Sequence, residues 1–361
     1  MGRRRTPLHQ RRRTAAGHMH MALVGCLLAF LPQAASLAQR RDPFDVEARE
    51  YLGTPASEAA VRKGLQFLAS RVQPDGHWNS AQYNADAAVT GLAVLAFLSA
   101  GHQPGRGKFG TFLSHSADWL AESVQRNGLV FRGGSAGPPM YGHGFATLAL
   151  AELYGMSRRD DLRKKLADAT KLITQTQNAE GGWRYQPQAT DADISVTVVQ
   201  LVALRAAANA GISVPRETVL RAVGYIKRCQ NNSDGGFSYQ ISNRSSGPAR
   251  TGAAVLCLYL CGEGDAKECK NGVSYLIQHP LDKYEWAYRE YQFYSLYYCT
   301  QAFYQVGGKP WKDWYVAVRE RLIGSQAKDG HWSDNPGDEY ATAMGVLCLQ
   351  VPAGLLPIYQ K

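Results

Sequence analysis

Two kinds of apolar segment alternate along the chain from about residue 57 onward. Segments such as LADATKLITQTQ, residues 166–177, carry apolar side chains every three or four positions, which predicts helices with one exposed face. Segments such as SVTVVQLVALRAAANAG, residues 195–211, are apolar on nearly every side, which predicts helices buried all round. A Gly-aromatic turn separates the first kind from the second at four places: QPDGHW (73–78), NAEGGW (178–183), NSDGGF (232–237) and AKDGHW (327–332).

The alternation occurs six times. Two less regular units, within 115–155 and 269–308, fill the gaps, and each unit spans about 45–55 residues. An open stack would need polar faces on its end units, whereas both terminal units keep the full apolar pattern. The pattern therefore predicts an all-α fold, an (α/α)6 toroid of six helical-hairpin repeats over residues 57–361. The inner helices are expected to end at Gly101, Gly155, Gly211, Gly262 and Gly307.

Two columns of residues recur near the starts of the inner helices. The first holds hydroxyl groups, at Thr90, Thr147, Thr197, Thr251, Ser295 and Thr342. The second lies four residues earlier, at Asp86, His143, Asp193, Gly247, Tyr291 and Asp338. One helical turn separates the columns, so both are expected on one face of the helices, around one mouth of a central cavity.

The turns themselves are expected to be structural. Their aromatic residues, Trp78, Trp183, Phe237 and Trp332, would brace one helix pair against the next. The glutamines that precede them, Gln73, Gln177 and Gln230, would satisfy backbone groups of the turns.

The N-terminal segment predicts export. Residues 1–38 hold six arginines, no acidic residue, a ten-residue apolar run (Ala22–Leu31) and small residues before a cleavage point, which is typical of a signal peptide. A short uncleaved anchor is the alternative. Removing these six charges from the net charge of +10 leaves +4, so nothing favours nucleic-acid binding. We expect an extracytoplasmic protein, periplasmic or secreted, with a linker over 39–56; contact with a membrane surface and protein partners stay open.

Six cysteines follow the signal segment. Cys257, Cys299 and Cys348 lie in apolar runs, which favours buried free thiols. A bridge between Cys261 and Cys269, or from either to Cys229, is the weaker alternative. The sequence has no Cys-x-x-Cys pair, so we predict no structural zinc and no cofactor.

The glutamine-ended helix followed by Asp/Glu-Gly-aromatic resembles the repeat of squalene–hopene cyclases and of protein prenyltransferase β-subunits, over about residues 57–352. The closing stretch YATAMGVLCLQVPAGLLPIYQ is similar to the end of exported bacterial members of this superfamily. The resemblance implies an α/α toroid. It implies less about chemistry, because the same ring serves several activities.

The acid motif that the resemblance implies is incomplete. Cyclases of this family carry Asp-x-Asp-Asp-Thr at the start of an inner helix, and the middle aspartate protonates an alkene. Read from Asp191, this chain has Asp-Ala-Asp-Ile, with Ile194 in place of the last acid. Read back from Thr197, Ser195 replaces the acid itself. Either register puts ordinary polyene cyclisation in doubt.

Two other activities of the wider family are disfavoured. Prenyltransferases place a zinc-binding histidine in a Tyr-His-Thr motif, where this chain has Tyr340-Ala341-Thr342. Complement-like thioester domains use Cys-Gly-Glu-Gln, where this chain has Cys261-Gly262-Glu263-Gly264. The resemblance therefore implies neither a zinc-thiolate mechanism nor a thioester.

The candidate catalytic residues are Asp191, Asp193 and His143. The alternative for Asp193, and equally for Asp86 and Asp338, is helix capping, which is worth roughly 1 kcal/mol. For His143 the alternative is a structural hydrogen bond near a helix start. The candidate ligand-binding residues are Asp86, Tyr141, Ser195, Arg250, Tyr291, Tyr294, Tyr298 and Asp338. Tyr291, Tyr294 and Tyr298 have the spacing of one helix face, which is typical either of core packing or of a cavity wall.

Three functions are consistent with these residues. The first is binding of an apolar or isoprenoid ligand in the central cavity, with or without non-canonical enzyme activity. The second is a polysaccharide lyase or hydrolase, because α/α toroids also carry such enzymes. The third is a non-catalytic scaffold. A dry tyrosine-lined cavity favours the first, an open cleft with charged residues the second, and a filled centre the third.

Overall fold

A computed structural model describes residues 52–81, 86–132, 138–243, 245–289 and 291–360. The predicted signal peptide, and the linker as far as residue 51, lie outside these residues. The described residues all belong to one compact unit, 44–361.

Twelve α-helices alternate between two layers in this described part. The outer helices are α1 (Pro55–Arg71), α3 (Gly110–Glu122), α5 (Asp160–Gln175), α7 (Arg216–Arg228), α9 (Lys267–Gln278) and α11 (Gly308–Ser325). The inner helices are α2 (Ala87–Ser99), α4 (Pro139–Ser157), α6 (Ile194–Asn209), α8 (Pro248–Leu260), α10 (Gln292–Val306) and α12 (Asp338–Gln350).

The inner helices form a closed ring. Each packs against the next in chain order, and α12 packs against both α2 and α1. Their central residues are buried on every side, as their uniformly apolar sequences predict. The prediction of an all-α (α/α)6 toroid is confirmed.

One pair of hydrogen bonds joins successive repeats. The side-chain amide of Gln177 donates to the carbonyl of Gly181 in its own turn, at 2.8 Å, and to that of Thr218 on α7, at 2.9 Å. The same pair recurs from Gln230 to Gly235 and Glu268, and from Gln326 to Gly330 and Ala60. Since Ala60 lies on α1, the bond that links neighbours elsewhere also closes the ring. Gln73 differs, because its amide donates to Arg71.

A second pair of bonds holds each turn against its own helices. The Trp183 indole donates to the carbonyl of Ile173 on α5, and the Trp183 backbone N–H donates to the Thr197 hydroxyl on α6. Equivalent bonds hold Trp78 to Leu68 and Thr90, and Trp332 to Leu322 and Thr342, while the Phe237 N–H donates to Thr251. The bracing role is confirmed. The expectation that these threonines surround a cavity mouth is wrong, since a buried turn N–H needs their oxygens.

The ends of the inner helices mostly follow the predicted glycines. Gly101, Gly211, Gly262 and Gly307 come at or just after a helix end, each at positive φ. Gly155 lies inside α4, which continues to Ser157 and ends at Arg158 in the left-handed conformation, with φ 54°.

The six cysteines after the signal segment are free thiols. Cys229, Cys257, Cys269, Cys299 and Cys348 are buried, and Cys261 is half-buried. The prediction of mainly buried thiols is confirmed, and neither alternative bridge is present.

Two features are absent from the described residues: a membrane-spanning helix and a metal-binding cluster. None of their helices combines the length and apolar character needed to cross a bilayer. Nor do they contain a set of three or more His, Cys, Asp or Glu side chains arranged to hold a metal ion.

The middle of the ring is occupied by side chains. α4 and α10 lie on opposite sides of the ring, yet the rings of Phe145 and Tyr297 are 6.4 Å apart. Tyr297 and its neighbour Tyr298 are both almost fully buried. The expected deep central cavity is therefore closed at this level, because large aromatic residues of opposite helices meet across it.

The residues after α12 close the end of the ring where the inner helices finish. Two short 3₁₀ helices, Val351–Ala353 and Pro357–Tyr359, follow α12, and the second packs against α6. The Ile358 N–H donates to the buried Glu152 carboxyl of α4 at 3.3 Å. Burial raises the pKa of Glu152 to about 8.

The closing turn should tolerate an added methyl group poorly. A Cβ at Gly330 would lie 2.5 Å from the Lys63 carbonyl oxygen of α1, at φ 101°. Gly211 has a similar φ of 91° with no atom within 4 Å, so Gly211→Ala is the matched control. We expect urea denaturation to show a loss of about 1–2 kcal/mol for Gly211→Ala and about 1–3 kcal/mol more for Gly330→Ala. Equal losses would contradict a tight closure.

Two threonines of the hydroxyl column allow a second matched pair of variants to be compared. Thr197→Val removes the acceptor of a buried N–H and should cost about 1–3 kcal/mol of unfolding free energy. Thr147 is equally buried, but its hydroxyl lacks a partner among the described residues, so Thr147→Val should be neutral or slightly stabilising. Thermal and urea unfolding of the two variants measure this difference, and the reverse order would refute the bracing role.

Glu152 should make stability depend on pH. Its pKa is raised from 4.5 to about 8, so its contribution is fully present below pH 4.5 and is lost as pH rises to about 8. Glu152→Gln removes this titration. Between pH 5 and 8, the unfolding free energy of the natural chain should fall relative to that of Glu152→Gln, by up to about 4 kcal/mol. A pH-independent difference would show that Glu152 is solvated.

Candidate functional site

In the described part of the chain, a cluster of polar and aromatic side chains lies where several inner helices begin. We define the mouth by six residues that come together there: Tyr141, Tyr185, Asp193, Ser195, Tyr239 and Tyr294. Five of them are half-buried and reach solvent in part, while Asp193 is 0% exposed. They come from α4, α6, α10 and the loops that follow the turns of the third and fourth repeats.

Asp193 caps helix α6. Its Oδ1 accepts from the Val196 N–H at 2.9 Å, and its own N–H donates to the Trp183 carbonyl at 3.0 Å. The capping role is confirmed. Its second oxygen, Oδ2, has no hydrogen-bond partner of normal geometry among the described residues. The cap thus uses one carboxylate oxygen, and the other lies within ion-pair distance of the Arg184 guanidinium.

The environment of Asp193 makes it a weak acid. Burial raises its pKa to about 6, and the Val196 N–H, the Tyr239 hydroxyl and the Arg184 guanidinium partly oppose this rise. The Arg184 Nε lies 3.9 Å from Oδ2. Asp193 therefore changes charge near neutral pH and is ionised above it.

Arg184 is shared between the two aspartates. One of its terminal nitrogens pairs with the half-exposed Asp191 carboxylate, and its guanidinium lies 5.1 Å from the ring centroid of Tyr185. Asp191 is thus the principal counter-ion of Arg184, and the pair carries no net charge.

Two tyrosines from consecutive repeats meet beside the acid. The hydroxyl groups of Tyr185 and Tyr239 are 2.5 Å apart. The carbonyl of Tyr239 accepts from the Ile194 N–H at 2.9 Å, and that of Tyr185 accepts from the Met140 N–H at 3.2 Å. These backbone bonds fix both loops against the starts of α4 and α6.

The remaining wall is aromatic. Burial raises the pKa of Tyr141 and of Tyr294, and the Ser195 hydroxyl near Tyr294 opposes the second rise. The Tyr294 hydroxyl has no hydrogen-bond partner in the described part of the chain. Tyr298 lies deeper, with its ring 4.6 Å from that of Tyr294. The tyrosines of α10 therefore form both a wall and a packed core.

His143 does not belong to the mouth. It is 0% exposed, and its Nδ1 accepts the Val130 N–H at 3.0 Å, so it does for the second repeat what the threonines do elsewhere. Burial lowers its pKa to about 4, which keeps the ring neutral. The prediction that His143 faces the mouth as a proton carrier is wrong, because its Nδ1 lone pair accepts a hydrogen bond from a buried turn N–H.

Two other candidates lie elsewhere. Tyr291 precedes α10 in the left-handed conformation and is 62% exposed, so the predicted face shared with Tyr294 and Tyr298 is wrong. Asp338 faces an outer surface groove of about 410 Å³ beside Phe67 and His331, not the mouth. Its carboxylate lies 3.7 Å from His331, and it is the first residue of α12, not a cap.

Asp86 and Arg250 have mainly structural contacts. Asp86 caps α2 by accepting from the N–H groups of Ala88 and Val89, as predicted for its capping alternative. The Arg250 Nη2 donates to the Ser245 carbonyl at 3.1 Å. Its Nε has no partner within the described residues.

Three residues of this region, Arg184, Tyr185 and Tyr239, were not predicted from the sequence as site residues. Both tyrosines stand two residues after a turn aromatic, in GGWRY and GGFSY. The same position in the sixth repeat is Asp334, which accepts from the Phe293 N–H. The repeated motif Gly-Gly-aromatic-x-Tyr could have identified both tyrosines. A residue at a fixed distance from the turn takes an equivalent place in each repeat.

Sequence comparison supports the family resemblance over part of the chain. Residues 146–307 match the model of the squalene-hopene cyclase C-terminal domain. The matched range includes all the mouth residues except Tyr141. No curated protein matches the chain.

Solved structures share the fold over most of the chain. The type II terpene cyclase MstE from Scytonema, in complex with geranylgeranyl dihydroxybenzoate, is 14% identical, with a TM-score of 0.58 over 83% of this chain and 98% of its own. A protein from Actinoplanes is 16% identical (TM-score 0.59; 83% and 99%). The alpha-1,6-mannanase GH76A of Salegentibacter sp. HEL1_6 is 11% identical (TM-score 0.60; 83% and 99%). Together with the sequence match, these confirm the resemblance to the prenyltransferase/squalene-cyclase repeat superfamily.

Proposed function

Starting from a toroid of the terpene-cyclase type, we propose that this protein binds an isoprenoid or similar apolar molecule at the mouth, with Asp193 at its base. The observation that carries the proposal is the buried Asp193 carboxyl, whose Oδ2 has no hydrogen bond of normal geometry within the described residues and lies among four tyrosines, 3.9 Å from Arg184 Nε. A buried polar atom without a partner is rare unless a ligand or water supplies one. The expected extracytoplasmic location belongs to the same proposal.

The filled centre restricts where such a ligand lies. Because Phe145 and Tyr297 meet across the ring, the hydrocarbon chain of a long ligand would lie along the mouth and would not fold inside the ring. Tyrosine rings offer apolar faces to the chain and hydroxyl groups to its end. MstE, with a geranylgeranyl compound bound, has the same type of fold.

The acid is unsuited to protonating an alkene. Its pKa of about 6 reflects burial, and Ile194 replaces the neighbouring carboxylate of the cyclase motif. A weak acid transfers protons efficiently to and from groups whose pKa lies near its own. A carboxyl with this pKa is suited to general acid–base catalysis near neutral pH.

A saccharide ligand is the second candidate. The fold is shared with a mannanase, and Asp191 and Asp193 are two carboxylates at one opening. Glycosidases use such pairs as acid and base or nucleophile. Asp191 is already neutralised by Arg184, which favours the apolar ligand.

Calorimetric titration with geranylgeraniol and with alpha-1,6-mannotriose tests the proposal. The natural chain should bind geranylgeraniol saturably at the mouth. Ser195→Trp fills the mouth and should weaken binding at least about tenfold, whereas Ser274→Trp, on the exposed face of α9, should leave it unchanged. Mannotriose binding that Ser195→Trp abolishes would favour the saccharide, and no binding of geranylgeraniol would refute the proposal.

A further inference from the structure

Two unpartnered oxygen atoms lie in the mouth. Asp193 Oδ2 is one, and the Tyr294 hydroxyl is the other. The Tyr294 hydroxyl lies beside the Ser195 side chain, which follows the cap residue Asp193 by two positions at the start of α6. Each loses hydration on burial without gaining a hydrogen bond of normal geometry within the described part, so each favours a ligand that supplies one.

The two oxygens have complementary requirements. Ionised Asp193 only accepts hydrogen bonds, whereas a tyrosine hydroxyl can donate one. A ligand hydroxyl is both donor and acceptor, so it can donate to Asp193 and accept from Tyr294. A hydrocarbon end can do neither, and an ether oxygen can only accept.

The charges of the mouth do not favour a phosphate. Arg184 is neutralised by Asp191, and ionised Asp193 adds a negative charge beside it. Arg250 donates to the Ser245 carbonyl. The ionised Asp193 carboxylate would repel an anionic end group placed beside it.

From these observations we propose that the mouth recognises the hydroxyl end of an isoprenoid alcohol, with Asp193 and Tyr294 as its two hydrogen-bond partners. This inference rests on the proposed binding function and names its ligand class. The neighbouring Tyr185–Tyr239 pair is a positioning element, because the Tyr239 hydroxyl lies beside the Asp193 carboxylate and stabilises its charged form.

The test compares four C20 probes by calorimetry at pH 8: geranylgeraniol, its methyl ether, the matching hydrocarbon and geranylgeranyl diphosphate. The natural chain should bind the alcohol about tenfold more tightly than any of the other three. Tyr294→Phe should lower the affinity for the alcohol several-fold. Tyr297→Phe removes another unpartnered hydroxyl from the same helix, deeper in the ring, and should leave the affinity unchanged.

Asp193→Asn separates recognition from folding. Asparagine caps helices as well as aspartate does, so the fold should persist, and Asp86→Asn controls for the cap. The new amide N–H can donate, so this variant should bind the methyl ether about as tightly as the alcohol. Asp86→Asn should keep the preference of the natural chain for the alcohol.

The outcomes distinguish the two proposals. Equal affinity of the natural chain for alcohol and hydrocarbon would overturn hydroxyl recognition and leave isoprenoid binding intact. Tighter binding of the diphosphate, lost in Arg250→Gln, would overturn it in favour of an anionic end group. Failure of all four probes to bind would refute the binding function itself.

Discussion

The architecture depends on how each Gly-aromatic turn has its backbone groups satisfied. The turns are buried between helices, so every N–H and carbonyl there needs a partner. A glutamine amide spans the carbonyls of its own turn and of the next outer helix, as Gln177 does. Because Gln326 makes this bond to Ala60, closing the ring satisfies the last turn by the same contact that Gln177 and Gln230 make for theirs. An open stack would leave that turn incomplete.

The same constraint determines which polar residues remain for function. Four threonines of the hydroxyl column, Thr90, Thr197, Thr251 and Thr342, accept from turn N–H groups, and His143 accepts from one in the second repeat. The helix caps use Oδ1 of Asp86 and of Asp193. Oδ2 of Asp193 is one of several buried polar atoms in the described residues that have no hydrogen bond of normal geometry, and it lies among the tyrosines of the mouth.

The ring could be predicted from the sequence because periodicity and burial are properties of whole segments. Six apolar helices without polar end faces have few stable arrangements, and closure is one of them. The direction of single side chains could not be predicted in this way. A residue four positions before a threonine shares its helix face, but that face contacts the turn and not the cavity, as His143 demonstrates. The prediction for Tyr291 was wrong for another reason. Its spacing to Tyr294 and Tyr298 places it on their face only if it lies in the helix, and Tyr291 precedes α10.

Function is expected where equivalent positions of the repeats stop being equivalent. The position four residues before the hydroxyl column holds a helix cap at Asp86, a turn acceptor at His143 and an exposed residue at Tyr291. Asp193 differs from Asp86 in its surroundings, because the third and fourth repeats each place a tyrosine two residues after the turn aromatic. A symmetric scaffold thus acquires one asymmetric site by changing residues that the ring does not need for closure, which is why the fold can persist while its chemistry changes.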